Sequence, residues 1–212
     1  MKNQAKNVIE FYVLCNKLKN VIRTGWKNWN VERERLESVA EHIYGTQMLA
    51  LAMCSEYKYD LNIFKVIYML AIHELEEVLI GDLTQFQISK EEKMKKGHEA
   101  IIKLLSPLDD GEYIKSIILE FDARSTPEAK FAYYCDKLEC DIQCKLYDEE
   151  GTVDVKASYN RANIHDPDVE RMLEEGKSWS DMWMTFGQMH YNYDDNFMEV
   201  SNYAKENKIS IE

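Results

Sequence analysis

Helical periodicity recurs along this chain, whereas the alternation typical of strands is weak. Residues 7–18 carry apolar side chains at 8, 9, 12, 13 and 14, which lie on one face of a helix. Ser38 with Glu41 three residues later is a capping box that opens a second helix. Thr126 followed by Pro127 is an N-cap with proline at the first helical position, before a long helix. The sequence therefore predicts an all-α fold.

The remaining segments extend this pattern to the carboxyl terminus. A helix capped by Asp60 is predicted to run to Gly81, and Ser89 with Glu92 makes a second capping box for a helix that stops near Ser106. Further elements are expected as follows: helices over about 111–121, 168–175 and 181–206, and a loop over 151–167.

No repeat and no low-complexity linker interrupts the chain, so we expect a single domain over residues 1–212. Residues 151–212 contain no recognisable catalytic motif. They carry a stripe of large apolar side chains that is typical of a core or of a dimer interface: Trp179, Met182, Trp183, Met184, Phe186 and Met189.

Net charge limits the partners that the chain can bind. The 38 acidic and 26 basic residues give a formal charge of −12, which repels phosphate polymers, so DNA or RNA binding is not expected. The longest uncharged run, His42–Ser55, is shorter than the roughly 20 residues of a membrane span. We expect no signal peptide, because the amino-terminal residues contain no smooth apolar stretch before a small-residue cleavage site. The five cysteines form no CxxC pair, so we expect reduced thiols in a cytoplasmic protein.

Two of the five histidines lie in apolar helices beside acidic residues. His42 follows Glu41 in the first turn of one predicted helix, and His73 precedes Glu74 in the second half of the next. A short loop joins these two helices, so we expect them to pack antiparallel and to bring the two imidazoles together. A single helix histidine is more often a packed core residue, and that interpretation remains open for each of them.

Carboxylates are expected around this histidine pair. Glu77 lies one helical turn after His73, Asp82 lies just past the helix end, and Asp136 lies on the long helix. The two imidazoles, together with the carboxylates of Glu74 and Asp136, come from three helices. This set suits a divalent metal such as Mn, Co, Fe, Ni or Zn. Glu77 and Asp82 would then remain for proton transfer or for orienting water.

Such a site suits the hydrolysis of a phosphate ester. The metal lowers the pKa of a bound water and neutralises charge on the phosphoryl oxygens, and a nearby carboxylate moves a proton. The spacing leaves structural alternatives open. Glu76 and Glu77 also fit a solvated helix face, and Asp136 also fits an ion pair with Lys130 or Lys137.

The motifs around these residues resemble those of the HD-domain superfamily of metal-dependent phosphohydrolases, whose pattern is H…HD…D, and more narrowly those of the HD-domain 5′-deoxynucleotidases. The matching stretches keep the family order and are RTGW (23–26), ESVAEH (37–42), HELEEVLIGDLT (73–84), ISKEEK (88–93) and TPEAKFAYYCDKLECDIQCKLYD (126–148). The resemblance implies a single HD-domain helical bundle over 1–212, with its metal-site core over about 10–150.

The resemblance implies that His42, His73, Glu74 and Asp136 are the metal ligands, and family members favour Mn or Co. Glu74 stands where the family has the aspartate of its His-Asp pair. The extra methylene moves the carboxylate by about 1.5 Å. A glutamate can still ligate, so we expect a metal, with weaker binding or a different metal preference.

The resemblance also implies roles around the metal. Glu77 matches a carboxylate that acts on the water or the leaving group, and Asp82 matches one near the sugar and the scissile bond. Arg23 is expected to contact the phosphate, and Trp26 to pack against the base or the sugar.

The implied activity is the hydrolysis of deoxynucleoside 5′-monophosphates to deoxynucleoside and phosphate, by a protein that is expected to be a homodimer. One alternative is another HD-type nucleotide phosphohydrolase or phosphodiesterase. Because of Glu74, a catalytically weakened nucleotide-binding protein is another. The link between Trp26 and His42 is longer than in the family, so Arg33 and Arg35 are rival candidates for the phosphate contact.

Overall fold

Helices carry the regular structure in the computed structural model of the protein, which describes residues 3–84, 87–162 and 166–211. In chain order the α-helices are α1 (Gln4–Cys15), α2 (Thr24–Asn28), α3 (Val39–Tyr57), α4 (Ile63–Ile72), α5 (Glu77–Ile80), α6 (Lys90–Leu105), α7 (Gly111–Ala123), α8 (Pro127–Glu149), α9 (Val155–Ala162), α10 (Pro167–Glu174), α11 (Trp179–His190) and α12 (Asp195–Glu206). A 3₁₀ helix, Asn16–Asn20, follows α1. Extended pairing within the described ranges is limited to one antiparallel bridge between Ile22 and Ser38, so the all-α prediction is confirmed.

The helix starts that were read from local capping signals are largely confirmed. Ser38 and Glu41 exchange both bonds of a capping box at the start of α3, and the Thr126 side chain accepts a backbone N–H at the start of α8. Ser89 caps α6 by accepting the amide of Glu92 at 3.2 Å. The described contacts include no return bond from the Glu92 side chain, so this start is a simple N-cap.

The continuous helix predicted between Asp60 and Gly81 is wrong, because the chain forms two helices there. The N-cap of α4 is Asn62, whose side chain accepts an amide at 3.2 Å. The helix then ends before His73, whose ring lies 2.8 Å from the carbonyl oxygen of Leu70. The following amides bond three residues back instead of four, which tightens the chain into turns until α5 begins.

Two further boundaries differ from the prediction. The segment expected to be a loop over 151–167 contains α9, whose start is supported by an Asp154 side chain that accepts an amide at 3.0 Å. The helix expected over 181–206 is divided into α11 and α12. Asn192 adopts a left-handed conformation with φ 52°, and Asp194 caps α12 by accepting the amide of Phe197 at 2.9 Å. Every described helix is too short or too polar to cross a bilayer.

The long helix α8 organises the packing, since α3, α4, α7, α11 and α12 all contact it. One hydrophobic cluster joins α8 to the first helices of the chain and to α6 and α7. A second cluster joins α2 to the carboxyl-terminal helices through Trp26, Tyr147 and Trp179. Met182 and Met184 are as deeply buried as Trp179, so these members of the carboxyl-terminal apolar stripe are core residues.

Candidate metal centre

His42 is held at the amino end of α3 with both ring nitrogens engaged. The imidazole is fully buried. Its Nδ1 lies 2.5 Å from Oε2 of Glu139, and its Nε2 lies 3.1 Å from Oδ1 of Asp136; both acids are on α8. Burial and Arg23 disfavour a charged ring, but Glu139 and the other acidic neighbours outweigh them and raise the pKa of His42 well above its usual value. The surroundings of this ring therefore favour positive charge.

His73 lies at the carboxyl end of α4 and faces His42, with the two ring centroids 5.6 Å apart. The antiparallel packing expected of consecutive helices thus brings the two imidazoles together. The Nδ1–H of His73 donates to the Leu70 carbonyl oxygen at 2.8 Å, which fixes the tautomer and leaves the Nε2 lone pair available. That buried Nε2 has no hydrogen-bond partner among the described residues.

Two carboxylates complete the cluster. Oδ1 of Asp136 lies 3.9 Å from Nε2 of His73, and Oε1 of Glu74 lies 3.8 Å from the same atom. One ligand atom from each of His42, His73, Glu74 and Asp136 lies within 4.8 Å of the other three. An unpartnered buried nitrogen, close to two carboxylates and a second imidazole, fits a borderline divalent cation.

The protonation states of Asp136, Glu74 and His73 also suit a cation, whereas the raised pKa of His42 favours a proton that a metal would displace. Burial alone would raise the pKa of Asp136, but Lys137, His42 and His73 hold it well below its usual range. The pKa of Glu74 falls to about 2 despite its burial, because His73, Lys93 and Arg23 favour the carboxylate. Burial lowers the pKa of His73. Ionised carboxylates and a neutral imidazole are the forms that bind metals.

Lys137 gives Asp136 a second partner. Its Nζ lies 2.8 Å from Oδ2 of Asp136, so the ion pair considered from the sequence exists. It occupies a different oxygen from the one that faces His42. The ion pair and the metal-capable cluster are therefore compatible, and Lys137 fixes the orientation of the carboxylate.

Arg23 lies directly beside the cluster. Its Nη1 is 3.8 Å from Oε1 of Glu74, and its Nη2 donates to Sγ of Cys140 at 2.9 Å. The guanidinium is thus a cation next to the candidate metal ligands. Arg33 and Arg35 pair instead with Glu150 and Glu41. These two arginines line a separate cavity of about 250 Å³.

Glu77 and Asp82 lie near this centre but outside the four-residue cluster. The Glu77 side chain is buried, with Oε1 3.4 Å from Nζ of Lys93. Burial and the neighbouring acids Glu74 and Asp82 raise the pKa of Glu77 well above its usual value. Asp82 accepts the amide of Thr24 at 2.6 Å through Oδ2, so it fixes the start of α2 beside Arg23.

Trp26 does not lie where a substrate contact was expected. Its ring is 1% exposed and packs edge-on against Tyr147 and Trp179 in the second hydrophobic cluster. Its indole N–H donates to Oε2 of Glu37 at 2.7 Å. A nucleotide would have to open this cluster to reach the ring. The packing thus places Trp26 in the core, and its contact with a substrate stays a prediction.

An open cavity of about 380 Å³ adjoins the cluster and is walled by residues of α6, α7 and α8. His73, Glu74 and Asp136 line one part of it. Lys93 lines it as well. The volume of this cavity falls within the range of small-molecule sites.

Glu139 belongs to this site, although the sequence patterns did not single it out. It holds Nδ1 of His42 from the side opposite Asp136. Gly45 makes room for it, because a Cβ at this position would lie 2.3 Å from Oε1 of Glu139. The available signal was the Asp136-to-Glu139 spacing of three residues, which places both carboxylates on one face of α8.

A helical bundle that carries an H…HE…D set of buried metal-capable side chains defines the class of this protein. The family model described as HD domain matches residues 15–192. The chain therefore belongs to the HD-domain family.

Within this family, the chain is 30% identical to the 5′-deoxynucleotidase HDDC2 of Danio rerio over 175 residues, which are 79% of this chain and 85% of that protein. It is 34% identical to the 5′-deoxynucleotidase HDDC2 of Dictyostelium discoideum over 154 residues, covering 68% and 79% of the two chains. A crystal structure of a Pyrococcus horikoshii protein shares the fold, with a TM-score of 0.63, 20% identity, and 93% and 98% of the two chains covered.

Proposed function

We propose that this protein is a metal-dependent 5′-deoxynucleotidase that hydrolyses deoxynucleoside 5′-monophosphates to deoxynucleoside and phosphate. The observation that carries this proposal is the buried, unpartnered Nε2 of His73, which faces His42, Glu74 and Asp136 beside an open cavity. The names of the relatives supply the reaction and the substrate class.

His42, His73, Glu74 and Asp136 are the residues that would hold the metal, and Mn or Co is the ion we propose. A divalent ion bound there supplies Lewis-acid charge, which polarises a phosphoryl oxygen and makes water more acidic. Glu139 and the Leu70 carbonyl orient the two imidazoles through their Nδ1 atoms.

Arg23 binds the phosphate in this proposal, because its guanidinium lies beside Glu74 and offers several N–H donors. Glu77 holds the proton that the leaving oxygen of the nucleoside needs. Its burial raises its pKa, so the carboxyl group is protonated at a higher pH than usual. Asp82 holds the Thr24 amide and thereby keeps the Arg23 segment against the cluster. This position also leaves it near the scissile bond.

A homodimer is the assembly that we propose. Since much of the carboxyl-terminal stripe is buried within the chain, another surface must form the interface. Tyr44, Met48 and Leu51 repeat along one face of α3 and are 39–63% exposed, which makes this face the candidate. Light scattering should report a dimer, and Met48→Glu should convert it to a monomer. A monomeric wild-type protein would contradict this assignment.

We place the protein in the cytoplasm. Its five cysteines are all free thiols, as expected in a reducing compartment.

The test of the function is turnover by purified protein after chelation and reloading with Mn, Co, Fe or Ni. Phosphate release from dAMP, dCMP, dGMP and dTMP should exceed release from the corresponding ribonucleotides, and His73→Ala should abolish it. Product analysis with di-, tri- and cyclic nucleotides distinguishes other phosphohydrolases. Nucleotide binding without phosphate release under any of these metals would overturn the proposal.

A further inference from the structure

The cavity beside the metal-capable cluster continues away from it to a second wall whose chemistry differs. His73 and Asp136 line the first part, and Tyr133, Arg124, His98 and Asp122 line the part formed by α6, the end of α7 and the first half of α8. A substrate whose phosphate lies at the cluster can place the rest of the molecule against this second wall. The residues there therefore decide which leaving group fits.

Arg124 and Tyr133 form a cationic surface on this wall. The guanidinium carbon lies over the tyrosine ring, 4.1 Å from its centroid. Among the described residues, no carboxylate lies within the 4.0 Å ion-pair distance of Arg124, although the acid Asp122 is two residues away. An arginine that is oriented by an aromatic ring and free of an acidic partner is well suited to stack on a planar heterocycle.

The spacing along α8 sets the distance between this surface and the cluster. Tyr133 precedes Asp136 by three residues, so the two side chains lie on one helix face, about 4.5 Å apart along the helix axis. The end of α7 also lies close to the cluster, because the ring centroid of Phe121 is 5.2 Å from that of His73. A sugar fills a gap of this size when its phosphate is at the cluster and its base reaches the Arg124–Tyr133 surface.

The rest of the wall also matches a heterocyclic base. The apolar side chains of Met94 and Ile101 line the cavity. Nε2 of His98 and Oδ2 of Asp122 are 2.9 Å apart, and both side chains are about one third exposed. These groups offer hydrogen bonds to the edge of a ring whose faces are apolar.

We propose that the wall formed by Tyr133, Arg124, His98 and Asp122 is the binding site for the heterocyclic base of the leaving nucleoside. This inference rests on the proposed nucleotidase function and deepens it. Arg124 stacks on the base, Tyr133 supports the guanidinium, and the His98–Asp122 pair contacts the edge of the base. The wall is thus a specificity determinant, and it takes no part in the phosphate chemistry.

The test compares deoxynucleoside monophosphates with 2-deoxyribose 5-phosphate, which has the same sugar and phosphate but no base. Wild-type protein should show a lower KM for dAMP and dCMP than for the baseless compound, by about 5- to 100-fold, the usual range for stacking on one base. If neither type of compound is hydrolysed, the proposed function fails. If both are hydrolysed with equal KM, the function stands and this inference fails.

Two variants test whether the lower KM for nucleotides comes from this wall. Arg124→Gln and Tyr133→Leu should each raise the KM for the nucleotides about tenfold, with kcat and all constants for 2-deoxyribose 5-phosphate within about twofold of wild type. Tyr133→Phe keeps the ring and should stay close to wild type. Tyr203→Leu removes an exposed tyrosine from α12 and serves as the matched control.

Circular dichroism of each variant checks that the helices are intact. Equal losses on the nucleotides and on the baseless compound would show that these residues act through the metal centre, and would overturn the assignment. Unchanged constants in well-folded Arg124→Gln and Tyr133→Leu would overturn it as well.

Discussion

Replacing Glu139 tests how the protein orients its candidate metal ligands. Oε2 of Glu139 lies 2.5 Å from Nδ1 of His42, and both side chains are buried. The other ligand, His73, is held by a backbone carbonyl, which no side-chain substitution removes. A change at Glu139 therefore disturbs the orientation and basicity of one imidazole and leaves the second unaltered.

The expected loss of metal affinity follows from the groups that each replacement retains. Glu139→Gln keeps an oxygen that accepts the Nδ1–H bond but loses the charge, so metal affinity should fall about tenfold, or about 1.4 kcal/mol. Glu139→Ala loses both the acceptor and the charge, and should weaken metal binding about 100-fold, or about 2.7 kcal/mol. In each case the stabilisation by a fixed excess of metal should fall by the same free energy, because only the folded state has the assembled site.

The assay is a competition titration of Mn²⁺ or Co²⁺ against a chromogenic chelator, paired with urea unfolding in the presence and absence of the metal. Glu206→Gln, which removes an exposed charge from α12, is the matched control and should bind metal like wild type. Circular dichroism establishes that each variant is folded. Metal affinity within about twofold of wild type in a folded Glu139→Ala variant would refute the orienting role.

Three other changes test separate parts of the structure. Glu74→Asp withdraws the carboxylate by about 1.5 Å from a cluster that it reaches at 3.8 Å, so metal affinity should drop about tenfold in the same titration; tighter binding would show that the site suits the shorter acid. Burial and nearby Glu139 raise the pKa of Glu37 from 4.5 to about 7, so its ionisation costs folded-state stability as pH rises from 4.5 through 7. Glu37→Gln should therefore stabilise the metal-free protein more at pH 8 than at pH 5, by about 1–3 kcal/mol in urea unfolding, and a gain independent of pH would contradict this. Gly111→Ala places a Cβ 2.1 Å from a backbone oxygen and should lower the free energy of unfolding by about 1–3 kcal/mol. Gly25→Ala, whose Cβ meets only an ordinary contact at 3.8 Å, is its control, and equal stability of the two would refute the clash.

The capping signals in the sequence predicted the starts of α3, α6 and α8, because a cap is formed by residues three or four positions apart. Ser38 and Thr126 cap the helices that they were expected to cap. The break before His73 was not predictable from the same signals. The apolar period continues through it, and the turn depends on a side-chain bond to Leu70 that periodicity does not encode.

The sequence by itself determined the helical class and brought His42 and His73 together, since consecutive helices joined by a short loop must pack side by side. The tertiary structure alone decided three other features: the burial of Trp26 against Trp179, the support of His42 by Glu139, and the cavity wall that carries Arg124. Each depends on contacts between residues far apart in the chain; His42 and Glu139 are 97 positions apart. Such contacts arise from the way α8 packs against its neighbours. A pattern that repeats every three or four residues does not predict that packing.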